Sequence, residues 1–194
     1  MTINHGGSMM NSPGELDFIK GKIAANEEPW ATYYTRLTKS GYSKLTWAPH
    51  ASAIPTAETS LIGDCYAAYN QALIYYFTGD TAYAENARTI INAWSSTVQE
   101  WSGIGNWYLA PAWGASIMAP AAELLRNTYS GWTPADTAQC QGMFNRAFLP
   151  VLKFRYAYGN REFSVCNALV AIGVFNDDKA ALYLGLYTWE SSVH

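Results

Sequence analysis

The stretch Tyr156-Ala157-Tyr158-Gly159-Asn160-Arg161-Glu162-Phe163 gathers two phenols, an amide and a guanidinium ahead of the apolar run Val165 to Phe175. That run reads as a buried helix. A Gly-Asn step before such a helix leaves unpaired backbone N–H groups and an outward amide, a natural place to hold an anion. The plainer reading is a helix start with Asn160 or Ser164 as N-cap. His50 sits in a long connection, residues 39–57, that also carries Trp47. Connections of that length in a compact domain are often functional, although a lone loop histidine is more often incidental. Asn106, Trp107 and Trp113 surround another helix start, where Trp107 is either a flat platform for a sugar ring or a core side chain. Tyr156 and Tyr158 either line a groove or anchor their loop.

Other pairings are less promising as chemistry. Glu58 and Asp64 resemble the paired carboxylates of a glycoside hydrolase. Six positions on a helix set them about 120° apart, so they do not face one another. Glu123 and Arg126, three apart, read as a structural ion pair. Asp177-Asp178 reads as an acidic helix start, favoured at the positive end of the helix dipole. Cys65, Cys140 and Cys166 are widely spaced and form no CxxC metal pattern; one disulfide plus a thiol and three buried thiols both fit.

Composition narrows the function classes. Apolar residues make up 49% of the 194 positions and charged residues only 14%, so one domain with a sizeable core is expected. Aromatic residues reach 15%, with 8 Trp and 14 Tyr. Chains rich in aromatics and poor in charge often bind sugars, because a pyranose ring lies flat on an indole or phenol; most of these rings nonetheless belong in the core. The net charge is −3 and no basic stripe is present, which argues against nucleic acid. An acidic substrate must then be held by a few local groups rather than by the overall field. No run approaches the roughly 18 apolar residues of a membrane helix. The start Met1-Thr2-Ile3-Asn4 has no leader pattern and fits a removed or replaced one.

The elements that must position these residues read as helices throughout. Apolar spacing predicts helices over 15–25, from Pro29 to Leu37, over 59–77 and from Tyr83 to about Trp101. Thr78-Gly79-Asp80 closes one and caps the next. Further helices are expected from Trp107 to Asn127, with Pro111 and Pro120 forcing a kink or late start, from Pro134 to about Leu152, and at about 163–175 and 178–190. Strand signals are scarce. The expected fold is all-α: antiparallel hairpins with short turns at one end and longer, aromatic-bearing loops at the other. That asymmetry suits a toroid whose site lies on one face.

Several segments resemble a known family. Gly63-Asp64-Cys65-Tyr66-Ala67-Ala68-Tyr69-Asn70-Gln71-Ala72-Leu73, followed by Thr78-Gly79-Asp80-Thr81-Ala82-Tyr83-Ala84, is similar to the second hairpin of the alginate-lyase-like polysaccharide lyases. So is Ile90-Ile91-Asn92-Ala93-Trp94-Ser95. Ala121-Ala122-Glu123-Leu124-Leu125-Arg126 with Gly131-Trp132 resembles the next hairpin. His5-Gly6-Gly7 resembles the family's His-Pro-Gly opening, with Gly for Pro. Gly159-Asn160 and Ala171-Ile172-Gly173-Val174-Phe175-Asn176-Asp177-Asp178 resemble its Gly-Asn segment and the helix after it.

The resemblance implies an (α/α) toroid, complete or partial, and β-elimination on a uronic-acid polymer such as alginate or glucuronan, with no metal or redox cofactor. Asn160 is then the group facing the sugar carboxylate, a base takes the C5 proton, and an acid protonates the departing oxygen. His5, His50, Asn106, Trp107, Tyr156 and Tyr158 are the candidates for substrate contact, and the setting is extracellular. Two departures stand out. Arg161 follows the Asn where relatives often carry an aromatic or His; it either shares the neutralising role or pairs with a nearby acid. Relatives also continue with more helices, so the chain resembles the N-terminal half of a toroid, with its base supplied by a second chain or a further segment, and with an apolar flank along its last helix. The alternative of a different class is a catalytically inactive carbohydrate-binding protein of the same fold. A hydrolase on a similar toroid is a third.

Overall fold

Helices carry the chain in a computed structural model that describes residues 3–55, 58–103, 107–154 and 159–192, and no strand occurs among them. In order they are α1 (Pro13–Ala24), α2 (Trp30–Lys39), α3 (Glu58–Thr78), α4 (Thr81–Thr97), α5 (Ala110–Thr128), α6 (Pro134–Met143), α7 (Leu149–Leu152), α8 (Asn160–Phe175) and α9 (Lys179–Ser192). The all-α expectation holds.

Local chemistry explains most boundaries. Ser12 and Glu15 form a capping box that starts α1 at Pro13. Gly79, at φ 78°, turns the chain after α3, and Asp80 caps α4 through the Ala82 N–H. Pro111 delays α5, so Trp107–Leu109 form a 3-10 turn ahead of it. Thr133 and Asp136 make a second capping box for α6. Between α6 and α7 the helix widens into π geometry over Phe144–Phe148, where the Leu149 N–H reaches the Phe144 carbonyl. Pro150 is the physical cause, since it has no N–H for the Arg146 carbonyl and its ring crowds that group.

Two expectations need correction. The helix expected from about 163 starts at Asn160, and its N-cap is Gly159 (φ 65°), not Asn160 or Ser164. Gly159 reaches that conformation without a Cβ penalty, and its carbonyl takes the Glu162 and Phe163 N–H groups. Asp177, read as a helix start, lies outside both helices at φ 57°, and Asp178 alone caps α9.

The hairpins pack as two rows. Gly114 on α5 abuts Leu61 on α3, and the Tyr75 hydroxyl donates to the Thr128 carbonyl near the other ends of the same helices. Those contacts make α3 and α5 parallel. Trp113 with Ser164, and Arg126 with the Phe175 carbonyl, make α5 and α8 parallel too. On the other side of the core α4 packs on α3 and α6 on α4. Asp136 ties that second row together, accepting from Arg88 and Asn92. Burial alone would raise the Asp136 pKa, but bonds from Thr133, Asn92 and Arg88 hold it below the ordinary carboxylate value. The short turns 79–80, 129–133 and 176–178 all lie at the C-terminal end of the α3, α5, α8 row.

Small residues set the spacing in that row. Ala112, Ala115, Ala119 and Ala122 form a fully buried stripe on α5. Where α8 crosses α9, a Cβ on Gly173 would lie 2.5 Å from the Leu182 backbone nitrogen. Backbone cannot rotate away as a side-chain tip can. Gly173→Ala is therefore expected to destabilise the fold by about 1–3 kcal/mol despite its gain in helix propensity. Urea unfolding of the variant checks this, and an unchanged or raised midpoint would contradict it.

Candidate functional site

With three parallel helices side by side, the N-termini of α3, α5 and α8 share one end of the molecule. Each carries roughly half a positive charge. A groove of about 310 Å³ opens near that end between α3 and α5, lined by Ile62, Tyr66, Trp113, Ser116 and Ile117. Ile62 and Tyr66 stand four apart on one face of α3, as do Trp113 and Ile117 on α5. Trp113 Nε1 donates to Ser164 Oγ at 3.2 Å, and Ser164 Oγ in turn donates to the Asn160 carbonyl at 3.2 Å. The groove is thus connected to the start of α8. Pro120 has no N–H to give the Ser116 carbonyl, so the groove wall includes an acceptor without its helical donor.

Asn160 is exposed at the first position of α8, and its amide bonds no described residue. Arg161 is exposed beside it. Tyr66 is 43% exposed. Its ring continues into a ribbon of aromatics: Tyr66 to Tyr42 at 5.5 Å, Tyr42 to Trp47 at 5.1 Å, Trp47 to His50 at 5.7 Å between centroids.

His50 stands at the end of that ribbon away from Tyr66. It is held by Asp64, which is fully buried on α3. Asp64 Oδ1 accepts from Trp47 Nε1 at 2.9 Å and lies 2.9 Å from His50 Nδ1; Oδ2 accepts from the His50 N–H at 2.6 Å and from Trp94 Nε1 at 2.7 Å. A carboxylate only accepts, so Nδ1 carries the proton. Asp64 and Tyr66 are two positions apart, about 200° around the helix, so the carboxylate itself points into the core while Tyr66 lines the groove. Gln71 extends the staple by donating to the Tyr42 and Lys44 carbonyls while accepting from Asn86. The long connection expected to be functional is thus pinned by polar groups buried on α3.

His5 lies elsewhere again. Its Nδ1 is 2.8 Å from Glu123 Oε1 and its Nε2 is 2.9 Å from Asp177 Oδ1, so neither ring nitrogen is left for a substrate. Trp107 is half-buried and packs against the core, its default reading. Asn106, Tyr156 and Tyr158 fall outside the described residues. Glu123 and Arg126 are 3.6 Å apart, as an ion pair, but the closer partner of Glu123 is His5. All three cysteines are buried free thiols; burial raises the pKa of Cys65 and Cys140 and keeps both protonated.

Composition and spacing did not mark Tyr66, Asp64 or Ser116 as site or anchor groups. Asp64 had a legible sign, a charge set within the apolar stripe Leu61, Cys65, Ala68, Ala72. Among the described residues no group of three or more His, Cys, Asp or Glu is placed to hold a metal ion, and no helix is long and apolar enough to cross a membrane. No protein-family model, curated protein or solved structure matches the chain.

Proposed function

We propose that the chain is an extracellular polysaccharide lyase, or part of one, cleaving a uronic-acid polymer by β-elimination. The observation that carries this reading is the shared end of α3, α5 and α8: three helix N-termini, an exposed amide and an aromatic-walled groove on a protein of net charge −3. Local dipoles offset the repulsion that the whole molecule presents to a polyanion. In this reading a sugar ring stacks in the groove at Tyr66 and Trp113, and Asn160 donates to its carboxylate. Charge that develops as the C5 proton leaves is stabilised there, and Arg161 adds a cation on the same turn. Tyr66 brings the one phenol among the described residues lining the groove, which makes it the base to test. The two rows of helices support a further step, that the hairpins are successive members of an (α/α) toroid, completed by another segment or a second chain.

The test is absorbance of the unsaturated uronate on incubation with alginate, glucuronan and related polymers. Product on one of them supports the reading. Binding of acidic oligosaccharide without product assigns the protein to the carbohydrate-binding alternative. Reducing ends without absorbance point to hydrolysis.

A further inference from the structure

Residues 3–12 run across the parallel row rather than along it. His5 reaches Glu123 on α5 and Asp177 in the turn after α8, and Ser8, fully buried, pairs with the Tyr69 hydroxyl on α3 at 3.0 Å. Between them Gly7 sits at φ 63°, where a Cβ would meet the Asn11 carbonyl oxygen at 2.1 Å, so the segment is held in a turn that only glycine accepts. This strap shares a face with the groove. Tyr69 follows Ile62 by seven positions and Glu123 follows Ser116 by seven, two helical turns or about 10 Å along each helix. The strap therefore bounds the groove face on the side away from the helix N-termini.

Its attachment depends on a proton. Both ring nitrogens of His5 face carboxylates, which only accept. A neutral imidazole has one N–H and satisfies one of them, leaving the other opposed to a lone pair. The imidazolium satisfies both. The charged groups facing His5 are Glu123 and Arg126 from α5 and Asp177 from the α8–α9 turn. Burial lowers the His5 pKa and so does Arg126, but the bonds to Asp177 and Glu123 and the charge of Glu123 outweigh them and leave it above 6.5. Glu123 is fully buried and keeps Asn127 Nδ2 at 2.9 Å and Arg126 at 3.6 Å, so loss of the His5 proton weakens its neutralisation without leaving it unpaired.

We infer that residues 3–12 form a proton-held strap: protonated His5 ties it across α5 and the α8–α9 turn, and loss of that proton releases its end. Because the folded pKa is raised, the stabilisation is complete below about pH 6.5 and is lost as pH climbs through the folded value. This inference stands whether or not the protein is a lyase.

The test is amide hydrogen exchange of residues 6–9, corrected for the intrinsic pH dependence of exchange, from pH 5.5 to 9. In the wild type, protection is expected to fall by up to about tenfold per pH unit above the folded His5 pKa. His5→Gln removes the titration and should give low, flat protection. Asp177→Asn supplies a donor to the second nitrogen, so a neutral ring satisfies both neighbours; protection should be high and flat. Asp177 is exposed, and Asn tolerates its positive φ, so that variant keeps the fold. Protection in the wild type that does not change with pH, or an Asp177→Asn profile that tracks the wild type, overturns the inference.

Discussion

Asp64→Ala is expected to lower the unfolding free energy by about 3–5 kcal/mol, as breaking a buried charged network typically does. The carboxylate is fully buried and takes two indole N–H groups, a backbone N–H and an imidazole N–H. Removing it leaves those donors facing a cavity. The worst placed is Trp94 Nε1, because Trp94 is itself fully buried and water cannot replace the acceptor. Asp64→Asn should cost less but not little, since its amide offers one acceptor atom and sets two donors against donors. His50→Ala, at a half-exposed side chain, should stay within about 1 kcal/mol. Urea unfolding of the three variants gives the order directly. An Asp64→Ala loss no larger than that of His50→Ala would mean that the loop is held by packing of Trp47 and not by the carboxylate.

That hub also shows what a sequence of this kind reveals about its fold. The helices announce themselves because apolar side chains recur every three or four positions and because Asp80, Thr133 and Pro134 stand where a helix must begin. Partners across the fold leave no such mark. Asp64, Gln71 and Glu123 sit on buried faces at the same spacing as Leu61, Ala68 and Ala122, so each declares that something polar must meet it without saying what. Four of those partners, Tyr42, Lys44, Trp47 and His50, come from the connection before α3, and one, His5, lies 118 positions away. The turn residues around His5 describe the local path of the chain, whereas its function as an anchor depends on two helices that pack only after the whole row has formed.

The direction of the helices in the row is likewise a property of packing. Each short turn says that neighbours in sequence are antiparallel neighbours in space. It does not say which helices share a row. That is settled by small residues, Gly114 against Leu61 and the alanine stripe on α5, which let α5 approach α3 and α8 closely. The site follows from this arrangement. Asn160 and its glycine are readable as a helix start from the sequence, but Tyr66 shares an end of the molecule with that start only because α3, α5 and α8 point the same way.

Asn160→Ala should then reduce turnover of a polyuronate by about 10²–10³, the typical effect of removing one donor aimed at developing negative charge. Stability should change by less than about 0.5 kcal/mol, because the amide is exposed and bonds no described residue. Asn160→Asp makes the sharper test, since its two effects have opposite signs. At the first position of α8 a carboxylate meets the positive end of the helix dipole and should stabilise the fold by about 0.3–1 kcal/mol. Facing a uronate, the same charge repels the substrate and deepens the loss of turnover below that of Asn160→Ala. A merely structural position would move both readouts together. Turnover that survives in Asn160→Asp, with the helix stabilised as expected, would show that the sugar carboxylate is held somewhere other than the start of α8.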